Sequence, residues 1–111
     1  LIRNQGRWRG EQILPARAIE DIARGGSKAA FARSDHPELP GWSYRDMWWH
    51  TANAHGAFAA RGVHGQTIYI DPVAEMVIVR FASHPVAANS ANDPTSLPAY
   101  EAVARHLMGR Q

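Results

Sequence analysis

The sequence predicts an α/β chain of the α+β kind, an antiparallel sheet with a C-terminal helix packed on it, and three observations lead there. Within residues 57–83, AFAARGVHGQTIYIDPVAEMVIVRFAS, β-branched or aromatic residues stand at alternating positions, Ile68, Ile70, Val77, Val79 and Phe81, the two-residue period of a strand. Asp71-Pro72 interrupts that run with turn chemistry. Asp suits the first position of a type I turn and Pro the second, and Val73, Ala74 and Glu75 complete a hairpin loop. From Leu97 the apolar positions recur at Tyr100, Val103, Ala104, Leu107 and Met108, the spacing of one buried helical face. With 111 residues and 45% hydrophobic content, the chain can bury one modest core, so residues 1–111 are expected to lie in a single domain.

Each element has a local reason. Ile68, Ile70, Val77, Val79 and Phe81 make one face of the hairpin, and Tyr69, Met76 and Ile78 make the other apolar too, the pattern of strands covered on both sides. Leu1 to Gln5 reads as the last turn of a helix stopped by Gly6. Gly6 and Gly10 flank Trp8 in a small loop or β-bridge. Pro15 opens a helix running to about Arg24, with Ala18, Ile19 and Ile22 on one face and Gly25-Gly26 as its end. Residues 27–41 show no sustained periodicity and read as a long surface loop, a candidate wall for a cleft. GWSYRDMWWHT, with Trp42, Tyr44, Trp48 and Trp49, reads as one aromatic strand, and Asn53, His55 and Gly56 mark a turn. Asp93 is placed to cap the closing helix, with Pro94 and Pro98 inside its first turn. The chain begins without Met in what reads as a helix, which suggests a fragment.

Composition narrows the function classes. The net charge is +2, and eleven of the twelve basic residues are Arg, Lys28 being the single lysine. They form no run or stripe, so no nucleic-acid partner is expected. The absence of cysteine excludes disulfides and thiolate metal sites, and no apolar run reaches the roughly 20 residues of a membrane helix, so no membrane partner is expected either. Among the six histidines, His50, His55, His64 and His84 lie near turns, but no pair has a ligand spacing such as H-x-x-x-H, so no metal is expected. No serine sits in G-x-S-x-G or S-x-x-K. Ser34-Asp35-His36 are neighbours in the chain, whereas a triad is assembled in space. The chain therefore carries no activated nucleophile of its own. The segment Arg61-Gly62-Val63-His64-Gly65-Gln66 remains open to two readings. Its glycines either permit a tight turn or bulge, or let a strand-edge N–H approach a substrate carbonyl.

GWSYRDMWW, then GVHGQTIYIDP, a V-I-V strand, a polar loop and a closing helix together resemble the C-terminal end of serine hydrolases of the β-lactamase and penicillin-binding family. The resemblance is closest to the class C-like branch that includes the 6-aminohexanoate-dimer (nylon oligomer) hydrolases and related esterases, and RNQGRWRGEQIL fits the stretch before that region. The resemblance implies the C-terminal part of an αβα fold in which an S-x-x-K pair and a tyrosine motif lie upstream. It also implies acyl transfer from a small-molecule amide or ester, with the missing N-terminal part of the same domain as a partner, room for a homodimer, and no cofactor. The family's K-T-G or H-T-G strand motif is absent here. Two registers compete for its place, Arg61-Gly62-Val63 and His64-Gly65-Gln66, and the first is favoured. On that register Gly62 and Val63 are the catalytic residues, the Val63 N–H being the second oxyanion donor, and Trp49, His64, Gly65 and Gln66 bind substrate. Trp48, facing the opposite side of its strand from Trp49, is expected in the core. The alternative is a non-catalytic relative that binds a ligand or regulates without turning anything over.

Overall fold

The apolar stretches from Phe58 to Arg80 build the centre of the sheet in the computed structural model, which describes residues 1–110. Two short strands come first, β1 (Arg7–Trp8) and β2 (Glu11–Gln12), paired antiparallel across Arg9 and Gly10, both at positive φ. Helix α1 (Ala16–Arg24) and the single-turn α2 (Lys28–Phe31) follow. Five strands then form one antiparallel sheet in sequence order: β3 (Ser43–Arg45), β4 (Trp48–His50), β5 (Phe58–Arg61), β6 (Thr67–Asp71) and β7 (Met76–Arg80). Helix α3 (Asp93–Met108) closes the chain.

The two faces of the sheet are unequal. On one, Ala59, Tyr69 and Met76 pack with Ala57, Ala74 and the α3 residues Tyr100 and Ala104, while Ile78, Leu97 and Leu107 cover the margin. Tyr69 and Tyr100 bring their ring centroids to 5.0 Å. Burial pushes the Tyr69 phenol up to about 12, with the Asp71 carboxylate adding to the shift. Asp71 closes the β6–β7 turn as expected, its Oδ1 accepting the Ala74 N–H at 2.9 Å while Oδ2 meets His55 Nδ1 at 2.7 Å. On the other face α1 covers only part of the sheet. Ile19, Phe58 and Ile70 are buried, but Val77 is 60% exposed, Val79 56% and Phe81 90%. The expectation of strands covered on both sides therefore holds for one face only, because α1 is too short to reach past Val77.

Several local expectations change for physical reasons. Leu1 to Gln5 forms successive turns rather than a helix, with Gln5 itself at φ 52°. Pro15 stands just before α1 in an extended conformation instead of inside its first turn. The aromatic strand is a hairpin: Asp46 and Met47 both adopt positive φ, the conformation of a two-residue turn, and fold β4 back on β3. The 27–41 loop carries α2, whose N-terminus the Ser27 hydroxyl caps by accepting the Ala30 N–H at 3.1 Å. Phe31 and Leu39 anchor the loop in a small core with Trp42. Asn92 rather than Asp93 precedes α3, and the Asp93 carboxylate is taken by Arg61. Val103 and Met108 are exposed, so the buried stripe of α3 is narrower than the apolar spacing suggests. No described helix is long and apolar enough to cross a membrane.

Candidate functional site

Register decides where the sheet opens. Strand β4 pairs with β5 only at Phe58 and Ala59, whereas β6 pairs with β5 from Phe58 to Arg61. Past Ala59 the β4-side edge of β5 is therefore free. The Gly62 N–H donates to the Gln66 carbonyl at 2.9 Å, on the β6 side. Alternation along an extended chain turns the next N–H the other way, and the Val63 N–H has no backbone acceptor among the described residues. A Cβ on Gly62 would press on the Gln66 side chain at 3.0 Å, so glycine keeps this turn tight. The tight-turn reading of the segment thus holds, and the same turn leaves the Val63 N–H without a backbone acceptor among the described residues.

That edge faces an open groove of about 520 Å³, lined by Trp49, Arg61, Gly62 and Val63 on the sheet side and by His36 and Leu39 on the loop side. The size suits a small ligand. The Trp49 ring is held edge-on by His36, Tyr44 and Phe31, at centroid distances of 5.0, 5.3 and 6.0 Å. Arg61 lies between two tryptophans, its guanidinium 5.2 Å from Trp49 and 5.3 Å from Trp42, and its Nη2 reaches both Asp93 oxygens at 2.8 Å. At the rim, Glu38 is held below the usual carboxylate range, first by hydrogen bonding from its own backbone and then by His36.

The structure brings together Trp49, Gly62 and Val63, and it separates them from the other three residues assigned to substrate binding. His64 sits at φ 59° and ties down the 84–87 loop: its N–H donates to Ala87 O at 3.0 Å, its carbonyl accepts from His84 N–H at 3.1 Å, and its Nδ1 lies 2.8 Å from His84 O. Gln66 donates its side-chain amide to Ala82 O. Gly65, at φ 90°, is buried against Ala82 and Arg80. These three brace the turn from behind. Sequence reasoning missed Arg61 as a wall element, Trp42 as its second platform, and Asn89, whose Nδ2 donates to Gly62 O at 2.9 Å and fixes that peptide. The missed signal was an arginine placed just before Gly62 in a chain whose four tryptophans all lie upstream of it. Ser90 lines the groove, but among the described residues it makes no hydrogen bond to a base, and the described residues hold no cluster of three potential metal ligands.

A five-stranded antiparallel sheet carrying a closing helix on one face, with a free strand edge over a groove, is the C-terminal layer of the β-lactamase-like hydrolase fold. No family model matches the chain. It is similar to the 6-aminohexanoate-dimer hydrolase of Paenarthrobacter ureafaciens, 32% identical over 77 residues that make up 68% of this chain and 20% of that protein. It also superposes on a putative 6-aminohexanoate-dimer hydrolase from Bacillus anthracis with a TM-score of 0.74 and 37% identity, over 98% of this chain and 27% of that one. The chain is a relative of the 6-aminohexanoate-dimer hydrolases of the β-lactamase-like fold, and spans about a quarter or less of the relatives it matches.

Proposed function

We propose that the chain is the C-terminal part of a serine hydrolase that cleaves amide or ester bonds through an acyl-enzyme, and that it supplies one oxyanion donor and one wall of the cleft. The observation that carries this reading is the Val63 N–H, two residues past the end of β5, without a backbone acceptor among the described residues and on a residue that lines the Trp49 groove. An acyl transfer develops negative charge on the carbonyl oxygen as the tetrahedral intermediate forms, and a fixed N–H at that place stabilises it without reorganising. Here the N–H is fixed from both sides, by the Gly62–Gln66 hydrogen bond and by Asn89 on the Gly62 carbonyl. The nucleophilic serine and its lysine base, together with the tyrosine, would lie in the longer protein. The groove itself offers Ser90 without a base, which is not an activated nucleophile. Water then releases the acyl group, and the Trp49 ring holds the apolar part of the substrate.

The test is a pair of substitutions at one position in the full-length protein. Val63→Pro removes the N–H while Gly62, at ψ 176°, already has the extended conformation that precedes proline. The expected result is a fall in kcat of about 10²- to 10³-fold for Val63→Pro and near-normal kcat for Val63→Ala. Equal activity of the two variants, on folded protein, would remove Val63 from the oxyanion site.

A further inference from the structure

Arg61 and Gly62, consecutive residues where β5 ends, are each gripped by a side chain from one short segment that leads into α3. Asn89–Ala91 form a single 3-10 turn, in which the Asn92 N–H donates to Asn89 O at 2.8 Å. The Ser96 N–H donates to Asn92 O at 2.8 Å, so the turn runs directly into α3. That helix is docked on the sheet through Tyr100 and Ala104. The backbone carrying Asn89 and Asp93 is therefore fixed by the core of the sheet.

Asn89 holds the peptide that carries the oxyanion donor. The Gly62 carbonyl and the Val63 N–H belong to one planar trans peptide and point opposite ways, so whatever holds the oxygen aims the hydrogen. Gly62 has no Cβ to limit the turning of that plane. The Gly62 N–H, bound to Gln66 O at 2.9 Å, belongs to the preceding peptide, and the His64 N–H, bound to Ala87 O at 3.0 Å, belongs to the following one. Asn89 Nδ2 donates to Gly62 O at 2.9 Å and so acts on the peptide itself.

Asp93 holds the wall. The Arg61 guanidinium lies 5.2 Å from the Trp49 ring and 5.3 Å from the Trp42 ring, and its Nη2 is 2.8 Å from both Asp93 carboxylate oxygens. The Arg61 side chain is only 7% exposed, and a charge so far from water keeps its place only beside a counter-charge. A planar guanidinium lies flat against aromatic rings, whereas an ammonium is a point charge without a plane.

We propose, on the acyl-transfer reading of the site, that Asn89 and Asp93 are its two positioning residues. Asn89 aims the Val63 N–H through the Gly62 carbonyl, and Asp93 sets the Trp49 wall through the Arg61 guanidinium. One segment thereby holds the oxyanion donor and the substrate wall in register, with a separate handle on each.

Steady-state kinetics of the full-length protein with p-nitrophenyl acetate and p-nitrophenyl hexanoate separate the two roles. Asn89→Ala deletes the donor, and Asn89→Asp keeps its size but turns an acceptor toward the Gly62 oxygen. Both are expected to lower kcat about tenfold on either ester with KM unchanged, the effect of a misplaced transition-state contact. Asp93→Asn and Arg61→Lys are expected to raise KM for the hexanoate about fourfold, the worth of one buried methylene, and to change KM for the acetate and kcat less. Arg61→Lys keeps the charge pair and carries the test if Asp93→Asn, with an unpaired buried guanidinium, fails to fold. Parent-like kcat in Asn89→Asp, parent-like KM for the hexanoate in Arg61→Lys, or kcat and KM moving together in step with Tm in every variant would each overturn the proposal. Val63→Pro as active as Val63→Ala would overturn the acyl-transfer reading and this proposal with it. An inactive Val63→Pro beside a parent-like Asn89→Asp would overturn this proposal alone.

Discussion

At the residue scale, the neighbouring tryptophans Trp48 and Trp49 meet different surroundings. Adjacent strand residues point to opposite faces, and that geometry holds here: Trp49 meets Arg61, His36 and Tyr44 at the groove, and Trp48 meets Phe58, at 5.3 Å between centroids, on the α1 side. Neither ring is fully buried. Trp49→Ala in the full-length protein is therefore expected to raise KM or lower kcat, measured by steady-state kinetics, with a smaller effect on Tm. Trp48→Ala should leave kinetics near normal and cost about 2 kcal/mol, below the usual Trp→Ala range because the ring is half-exposed. His50 makes a second residue-level case. Its ring stacks on Phe58 at 5.1 Å, and its Nε2 is buried without a partner among the described residues. Desolvation lowers its pKa, opposed by a hydrogen bond with the Ile22 backbone. A folded-state pKa below the ordinary value means that the unfolded chain binds the proton more readily. Stability is then full above about pH 6.5 and declines as pH falls through that value toward the lowered one. Chemical denaturation between pH 7.5 and pH 5 is expected to show this decline, and His50→Phe should flatten it.

At the element scale, α3 is the support of the whole sheet, and it does this with a narrow stripe. Ala104 is 1% exposed and Tyr100 8%, while Val103 on the same helix is 45% exposed. Small side chains at such a contact let the helix lie close to the strands, and added methylenes have nowhere to go. Ala104→Leu is therefore expected to cost about 1–3 kcal/mol by thermal or urea unfolding, whereas Val103→Ala should change stability by less than about 0.5 kcal/mol. Near-equal effects of the two would show that the stripe is wider than the packing indicates. The β3–β4 hairpin is legible at this scale only in part. Aromatic content marked strand, but Asp46-Met47 is not one of the glycine-bearing pairs that announce a two-residue turn, so positive φ at Met47 had no sequence signal.

At the scale of the whole molecule, one face of the sheet is finished and the other is not. Ile68, Val77, Val79 and Phe81 form a contiguous exposed apolar surface on β6 and β7, and β7 is an edge strand. Patches of this kind mark a contact surface or an aggregation liability. The chain by itself is expected to bind ANS strongly and to self-associate on concentration. Val79→Lys, which places a charge on the edge strand without touching the α3 core, should reduce both, as read by fluorescence and light scattering. The same incompleteness applies to chemistry. The isolated chain is expected not to hydrolyse p-nitrophenyl acetate, and turnover abolished by a serine-directed covalent inhibitor would reveal a nucleophile within it.

Local physics wrote much of this protein into its residues. Alternation specified β6 and β7, Asp71 and Pro72 specified their turn, and the 97–108 spacing specified the helix, because each depends on neighbours within a few positions. The glycines around Val63 were legible as a tight turn for the same reason. Contacts between residues far apart in sequence were not legible. Asp93 reads locally as a helix cap, yet a guanidinium 32 positions away holds its carboxylate, and His64 and Gln66 read as groove residues until their partners on the 82–87 loop are known. Whether the N–H groups past Ala59 meet a partner depends on where β4 stops pairing, and that register is a property of the folded sheet. Periodicity says which face of a strand is apolar; only packing decides whether anything covers it, and here α1 covers Ile70 and leaves Val79 and Phe81 open.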